Sequence, residues 1–329
     1  MSSRSRTFLA VAVTLALGIF VGPSCLSMRK ATLEERLLAL DKNAPLRGRI
    51  QTLERRVTLG GEELDARFRY YRAGERGRPL VVLVHGTPSS LVTWTECVFG
   101  PVGLAESCDV IALEMVGHGA TRTELDAYSF ERGAEWIQAF LEALALRGVT
   151  LIGNSYGGEF VWRAALNRPD LVGRVVLMSS SGFPRKDDEW FPEEVKMREM
   201  SLAKIGWLLN SRDNVRGALQ PHFQGRVPDE HVEEVFLVCE NRDNWHAMID
   251  LARDENGTRA SDLPRLRQPT LLLWGSQDIA YRPETIGERF RATLPDARLE
   301  LVAGAGNYPQ EEQPAAVARA IAAFAASKD

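Results

Sequence analysis

This 329-residue chain has few histidines and cysteines, and it has no excess of positive charge. The five histidines and four cysteines form no HExxH motif and no CxxC pair, and we find no glycine-rich phosphate loop, so we predict no metal site and no cofactor. The 40 lysines and arginines are outnumbered by 44 aspartates and glutamates, which argues against nucleic-acid binding because that requires a basic surface. Internal repeats and low-complexity tracts are also lacking. A hydrophobic content of 45% indicates an ordinary globular protein.

The amino terminus has the pattern of an export signal. Arg4 and Arg6 precede an uncharged, largely apolar run at residues 7–21, which is typical of a secretory signal or a membrane anchor. The segment that ends at Cys25 resembles a bacterial lipoprotein box, so a lipid on Cys25 and an uncleaved anchor stay open as alternatives. We expect residues 1–30 to be this signal or anchor. The protein would then be exported, periplasmic or otherwise extracytoplasmic, and would contact the membrane through this segment only.

Cys97 and Cys108 bracket one short connection between a helix and a strand. An exported protein can keep a disulfide, which the cytoplasm disfavours. A Cys97–Cys108 bridge and two buried free thiols therefore both stay open.

Continuous apolar runs alternate with helical periods along most of the chain. Such runs are expected of strands in a parallel sheet that is covered by helices on both faces. Two segments of alternating polarity, joined by Gly60-Gly61, predict an antiparallel hairpin before them. The predicted strands lie at residues 50–59, 64–71, 79–84, 109–113, 149–152, 175–178, 270–274 and 299–302, and the predicted helices at residues 130–146, 159–166, 283–293 and 314–326. The pattern predicts an α/β fold with a doubly wound, mostly parallel sheet.

The alternation of buried strands and helices stops between residues 182 and 264. Amphipathic stretches at residues 193–209 and 229–238 stand there instead. Because ligands bind at the carboxyl ends of parallel strands, we interpret this insertion as a helical cap over that edge of the sheet. The predicted organisation is a terminal signal or anchor (1–30), the first part of the core (31–182), the cap (183–264) and the second part of the core (265–329).

The most informative motif is GNSYGG at residues 153–158, which reads G-x-S-x-G between a predicted strand and a predicted helix. A serine on such a tight bend needs small neighbours, which Gly153 and Gly157 provide, and its hydroxyl then stands above the edge of the sheet. We interpret Ser155 as a nucleophile, with a plain turn serine as the alternative.

A second motif, HGTPSS at residues 85–90, follows an earlier strand. The backbone N–H groups of Thr87 and Tyr156 would form an oxyanion hole, and Gly86 would allow the close approach that this requires.

Together with VIALEMVGHG at residues 110–119 and LLLWGSQD at residues 271–278, these motifs resemble the α/β-hydrolase superfamily. The resemblance is to its capped, serine-nucleophile branch, which includes meta-cleavage-product hydrolases and esterases, and it covers about residues 50–326. It implies the α/β-hydrolase fold, a small-molecule ester-like substrate or ligand, and Asp278 as the catalytic acid. Epoxide hydrolases and haloalkane dehalogenases of this superfamily use an aspartate at the bend, so Ser155 favours acyl transfer. Glu114 replaces the usual aspartate of the third motif, and we interpret it as structural.

The superfamily places its catalytic histidine after the last strand, in a pattern similar to G-x-G-H-x-x-x-x-E-x-P. Residues 304–314 read GAGNYPQEEQP, so Asn307 stands at the histidine position. An amide forms hydrogen bonds but does not take up a proton at neutral pH. Three interpretations stay open: a degenerate hydrolase that binds a ligand, an engineered His-to-Asn change, or another base, for which His246 in the cap is the best-placed spare.

The resemblance therefore predicts a serine hydrolase for carboxylic esters or related carbonyl compounds. Its activity would be weak or absent with Asn307 in place, because an amide then occupies the position of the base. The alternative is a catalytically degenerate ligand-binding protein on the same scaffold.

Overall fold

The structure, a computed structural model, describes residues 31–123, 125–186 and 211–327. An eight-stranded sheet in the order β1-β2-β4-β3-β5-β6-β7-β8 runs through these ranges. The six neighbouring strands β4-β3-β5-β6-β7-β8 pair in parallel, whereas β2 is antiparallel to both β1 and β4. The strands are β1 Gln51–Leu59, β2 Glu62–Ala73, β3 Leu80–Val84, β4 Asp109–Leu113, β5 Val149–Asn154, β6 Val172–Met178, β7 Thr270–Gly275 and β8 Ala297–Val302. The prediction of a doubly wound, mostly parallel sheet is confirmed.

Helices follow most of the parallel strands. They are α1 Leu33–Ala39, α2 Thr95–Phe99, α3 Phe130–Ala143, α4 Tyr156–Asn167, α5 Arg212–Leu219, α6 Asp229–Val238, α7 Arg242–Asp254, α8 Glu288–Thr293, α9 Pro309–Glu312 and α10 Pro314–Ala326. Three predicted helices differ in detail, and the one at residues 159–166 is longer, at Tyr156–Asn167. The one at residues 130–146 ends at Ala143, because Ala145 turns to a φ of 53°. The one at residues 283–293 is a π-helical turn, Pro283–Gly287, followed by α8.

The core lies on both faces of the sheet because successive strand residues point to opposite sides. In β5, Leu151 packs with the aromatic side chains of α3 and α4, whereas Ile152 packs on the opposite face with α2 and α10. Each such buried aliphatic side chain contributes about 1.5–3 kcal/mol. The two-sided burial fixes β5, and with it the bend that follows.

The hairpin of β1 and β2 turns at Gly60 and Gly61, whose φ angles are 59° and 81°. A two-residue turn that joins Leu59 to Glu62 in register requires two positive φ angles, which glycine adopts without strain.

The described part of the insertion between β6 and β7 contains helices α5, α6 and α7, which are joined by short turns and loops. Side chains of its helix α7 accept hydrogen bonds from backbone N–H groups of the core. Asn244 accepts from Gly119 (3.1 Å) and Asp254 accepts from Phe130 (2.8 Å). Helices α5 and α6 share a small apolar cluster with α7.

Two parts of the sequence interpretation lie outside the described residues, namely the signal or anchor at residues 1–30 and the amphipathic stretch at residues 193–209. Among the described residues, no helix combines the length and the hydrophobicity needed to span a membrane.

The cysteines at positions 97, 108 and 239 are buried free thiols. Of the two alternatives for Cys97 and Cys108, the structure therefore has the unbridged one. Burial raises the pKa of both thiols, which keeps them protonated at neutral pH.

Candidate functional site

Ser155 forms the bend between β5 and α4, with φ 54° and ψ −121°. A positive φ at a residue with a side chain stores about 1–3 kcal/mol of strain, so the surrounding backbone must hold it. Its N–H donates to Met178 O (2.9 Å), and its carbonyl accepts from the N–H groups of Gly158 (3.0 Å) and Ser181 (3.3 Å). The residue is 9% exposed and stands at the carboxyl end of β5.

The loop after β3 lies against this bend. A Cβ on Gly86 would come within 3.0 Å of Ser155 Cβ, so the loop can approach this closely only with glycine. The next residue, Thr87, has its hydroxyl 2.5 Å from His118 Nε2. His118 Nδ1 lies 2.9 Å from Val116 O, and because a carbonyl only accepts, Nδ1 carries the proton. The Thr87 hydroxyl therefore donates to Nε2, which holds Thr87 in place.

The two histidines beside this loop stay neutral at pH 7. Burial lowers the pKa of His85 to about 3 and that of His118 to about 4. His85 Nε2 accepts from Met115 N–H (3.1 Å), so its proton lies on Nδ1, facing Gly86 O (2.8 Å). Both side chains serve as hydrogen-bonded parts of the loops.

The bend depends on the absence of side chains at two positions. A Cβ on Gly153 would lie 2.2 Å from Gly157 O, and one on Gly157 would lie 2.6 Å from His85 O. Both obstacles are backbone atoms, which cannot rotate away.

We expect Gly153→Ala to destabilise the protein by about 3 kcal/mol, because strand and helix would have to separate. The matched control is Gly217→Ala in α5, where a Cβ meets no atom within 4 Å. It should stabilise the protein by up to about 1 kcal/mol through helix propensity. Urea unfolding of both variants measures the difference, and equal stabilities would contradict this view of the bend.

Asp278 and Asn307 follow β7 and β8, and their side chains meet. Asn307 Nδ2 donates to Asp278 Oδ2 (3.1 Å), while Asp278 Oδ1 accepts the N–H groups of Ala280 (2.9 Å) and Tyr281 (3.0 Å). The two residues are 2% and 3% exposed. Burial raises the pKa of Asp278 to about 6, against the effect of these hydrogen bonds. At neutral pH, a buried carboxylate therefore faces the Asn307 amide.

The loop that carries Asn307 is bonded to the serine bend. Asn154 directly precedes Ser155, and its Nδ2 donates to Asn307 O (2.9 Å). Asn154 Oδ1 in turn accepts from Gln310 Nε2 (3.1 Å). The structure thus brings together the segments of Ser155, Asp278 and Asn307, which follow three different strands.

The same loop is also bonded to the insertion. Asn307 N–H donates to His222 O (2.8 Å). The Glu312 carboxylate accepts from Gly306 N–H (2.8 Å) and from Gln224 N–H in the insertion (2.6 Å). Burial raises the pKa of Glu312 to about 7.

The raised pKa of Asp278 leads to a prediction about pH. The folded protein keeps this proton up to about pH 6, whereas the unfolded chain releases it near the ordinary aspartate pKa of 3.8, so stability is lost as the pH rises between these values. The shift corresponds to about 3 kcal/mol. Asp278→Asn removes this titration, and Asn307 can turn its amide to keep the hydrogen bond.

Urea unfolding at pH 4, 5, 6 and 7 should show Asp278→Asn gaining on the parent by about 2.5 kcal/mol across this range. A constant difference between the two proteins would contradict the shift.

His246, the predicted alternative base, forms no hydrogen bond with the described residues of this site. His246 lies half-buried on α7, and no described residue forms a hydrogen bond or ion pair with its imidazole. His222, to which the sequence analysis assigned no role, is the histidine whose backbone lies against Asn307. A backbone contact of this kind leaves no local sequence signal.

Glu114 bridges two loops at the same edge of the sheet. It is 1% exposed, and its carboxylate accepts from the N–H groups of Leu91 (2.8 Å) and Ala120 (3.2 Å). These contacts support the structural interpretation of this residue.

Three described residues could hold a metal ion by geometry, namely His231, Glu234 and Glu311, whose ligand atoms lie within 4.8 Å of one another. The ammonium group of Lys42 already lies 2.5 Å from Glu234 Oε2 and 3.3 Å from Glu311 Oε2. A second cation would have to displace this buried ammonium, so we assign the cluster to charge pairing.

A family model, curated relatives and solved structures similar to this chain all indicate the same family. Residues 81–320 match the model of the "Alpha/beta hydrolase family". The chain is 27% identical over 274 residues to "Uncharacterized hydrolase YugF" of Bacillus subtilis, covering 82% of this chain and 97% of that protein. It is 24% identical over 274 residues to "Monoacylglycerol lipase ABHD6" of Homo sapiens, covering 80% of each. Among solved structures, a thermophilic esterase from Thermogutta terrifontis superposes with a TM-score of 0.69 at 21% identity, covering 83% of this chain and 97% of the esterase.

Proposed function

Because this chain belongs to the alpha/beta hydrolase family, we propose that it is a serine hydrolase scaffold for carboxylic esters or a related carbonyl substrate. Ser155 Oγ would attack the carbonyl carbon. A bond from Oγ to that carbon forms, the ester bond breaks, and the alcohol leaves with a proton; water then releases the acid. The negative oxygen of the intermediate would be held by the N–H groups of Thr87 and Tyr156.

One observation carries this proposal, namely that the strained serine bend and the Asp278–Asn307 pair are joined through Asn154. In a serine hydrolase, the acid orients a base, and the base takes the serine proton. Asp278 is bonded to the side chain at the position of the base, and that side chain is an amide. We therefore propose that the activity of the protein with Asn307 is weak or absent.

The amide also favours a second candidate, a ligand-binding protein on the same scaffold. Asn307 satisfies Asp278 without offering a base, which suits binding without turnover. A non-hydrolysable ketone analogue of the substrate would then bind equally well to the parent and to Ser155→Ala.

Serine-directed labelling tests the proposed nucleophile. We expect a fluorophosphonate to modify Asn307→His protein at Ser155, as located by peptide mass spectrometry, and to leave Ser155→Ala/Asn307→His unmodified. A label on another serine, or no label, would refute the role of Ser155.

A further inference from the structure

A single carboxylate in the insertion, that of Glu255, is bonded to two tyrosines of the core. Glu255 directly follows α7 as its C-cap residue and is 2% exposed. Its Oε2 accepts from the Tyr156 hydroxyl (2.8 Å), and its Oε1 accepts from the Tyr281 hydroxyl (2.8 Å). Hydrogen bonds to a charged acceptor are about twice as strong as neutral ones, so these contacts are effective restraints.

Each tyrosine has its backbone N–H at a position that the proposed reaction uses. Tyr156 directly follows Ser155, and its N–H is one of the two proposed oxyanion donors. The N–H of Tyr281 donates to Asp278 Oδ1 (3.0 Å). The Tyr156 ring is also packed edge-on against Phe130, at 5.2 Å between ring centres, so its position is well defined.

A buried carboxylate needs positive charge nearby, and Arg185 provides it. Arg185 Nη1 lies 3.7 Å from Glu255 Oε1, and both side chains are 1% exposed. The guanidinium also stands 5.0 Å from the centre of the Tyr281 ring. This charge offsets the carboxylate, which would otherwise oppose an oxyanion close to Tyr156.

We propose that Glu255 is a positioning residue that couples the docking of the insertion to the assembly of the catalytic groups. When the insertion is docked on the core, the Glu255 carboxylate fixes the proposed oxyanion donor through Tyr156. It also fixes the loop that carries Asp278 through Tyr281. The inference rests on the proposed function. Because both restraints act on groups that engage the transition state, losing Glu255 lowers kcat and leaves KM nearly unchanged.

The kinetic test uses Asn307→His protein with short p-nitrophenyl esters. We expect Glu255→Ala to lower kcat by about 10- to 100-fold with less than a threefold change in KM. Glu255→Gln, which can still accept one hydroxyl and donate to the other, should keep kcat within about fivefold.

The milder variant Tyr156→Phe removes only a hydroxyl and should also lower kcat. In the Glu255→Ala background its effect on kcat should be clearly smaller, since the hydrogen bond between Tyr156 and Glu255 is already lost. Three results would each overturn the proposal: losses in kcat that multiply when the two substitutions are combined, a change confined to KM, or a kcat that Glu255→Ala leaves unaffected.

Hydrogen exchange in the chain as written gives a readout that needs no activity. Glu255→Ala should speed amide exchange at least tenfold in peptides that cover residues 156–162 and 277–283, and Glu284→Ala, an exposed control, should not. If exchange responds while the Asn307→His protein remains inactive, the hydrolase proposal fails but the coupling stands. If exchange does not respond, the coupling itself is refuted.

Discussion

Replacing Asn307 by histidine should raise the Ser155-dependent hydrolysis of short p-nitrophenyl esters by about 10²–10⁴-fold, the usual contribution of a positioned general base. The histidine Nδ1–H would take over the hydrogen bond that Asn307 Nδ2 now donates to Asp278 at 3.1 Å. Its Nε2 would then be free to accept the serine proton, which an amide cannot do. The gain should appear in kcat, because the base acts in the transition state.

The backbone around position 307 supports this expectation, since its hydrogen bonds to Asn154 and His222 do not depend on the side chain. The matched control is Asn307→Gln, which lengthens the side chain without adding a base, and it should show no gain. An Asn307→His protein that is folded but no faster than the parent would contradict the assignment of the base position.

Lys42→Met should destabilise the protein by about 3–5 kcal/mol at pH 7, the usual cost of leaving buried charge unpaired. The Lys42 ammonium lies 2.5 Å from Glu234 and 3.3 Å from Glu311, and the three side chains are 0–7% exposed. Burial would lower the pKa of Lys42, but attraction by the two carboxylates outweighs burial and raises it. Without the lysine, two buried carboxylates would face each other across the cluster.

The size of this loss should depend on pH. In Lys42→Met protein the carboxylates would take up protons in the folded state, so the penalty should shrink between pH 7 and pH 5. Urea unfolding at both values measures it. The control is Arg56→Met, whose ion pair with Glu63 is 65% exposed and should be worth less than about 1 kcal/mol. Equal losses in the two variants would contradict the role of the buried cluster.

The sheet could be predicted from the sequence because buried parallel strands leave continuous apolar runs, as at residues 109–113, where prediction and structure agree. The bend at Ser155 could be predicted because its geometry demands glycine at fixed distances from the serine. Asp278 and Asn307 are implied by the resemblance to the α/β-hydrolase superfamily, and the parallel topology explains why positions after two successive strands meet at one edge of the sheet.

The polar contacts that hold this edge together could not be predicted. Lys42 and Glu234 belong to distant segments, and nothing near either residue indicates a partner. The same holds for Glu255, which reads as one acid at the end of an amphipathic helix but is bonded to two core tyrosines. Periodicity reports which face of an element is buried, whereas pairing between elements depends on the complete fold.

The most direct test of the central claim compares the effect of Asn307→His in two backgrounds, one with Ser155 and one with Ser155→Ala. If Ser155 and residue 307 act as one catalytic unit, the substitution should raise ester hydrolysis by at least about 100-fold in the first background and have no effect in the second. An equal gain in both backgrounds, or none in either, would contradict the account.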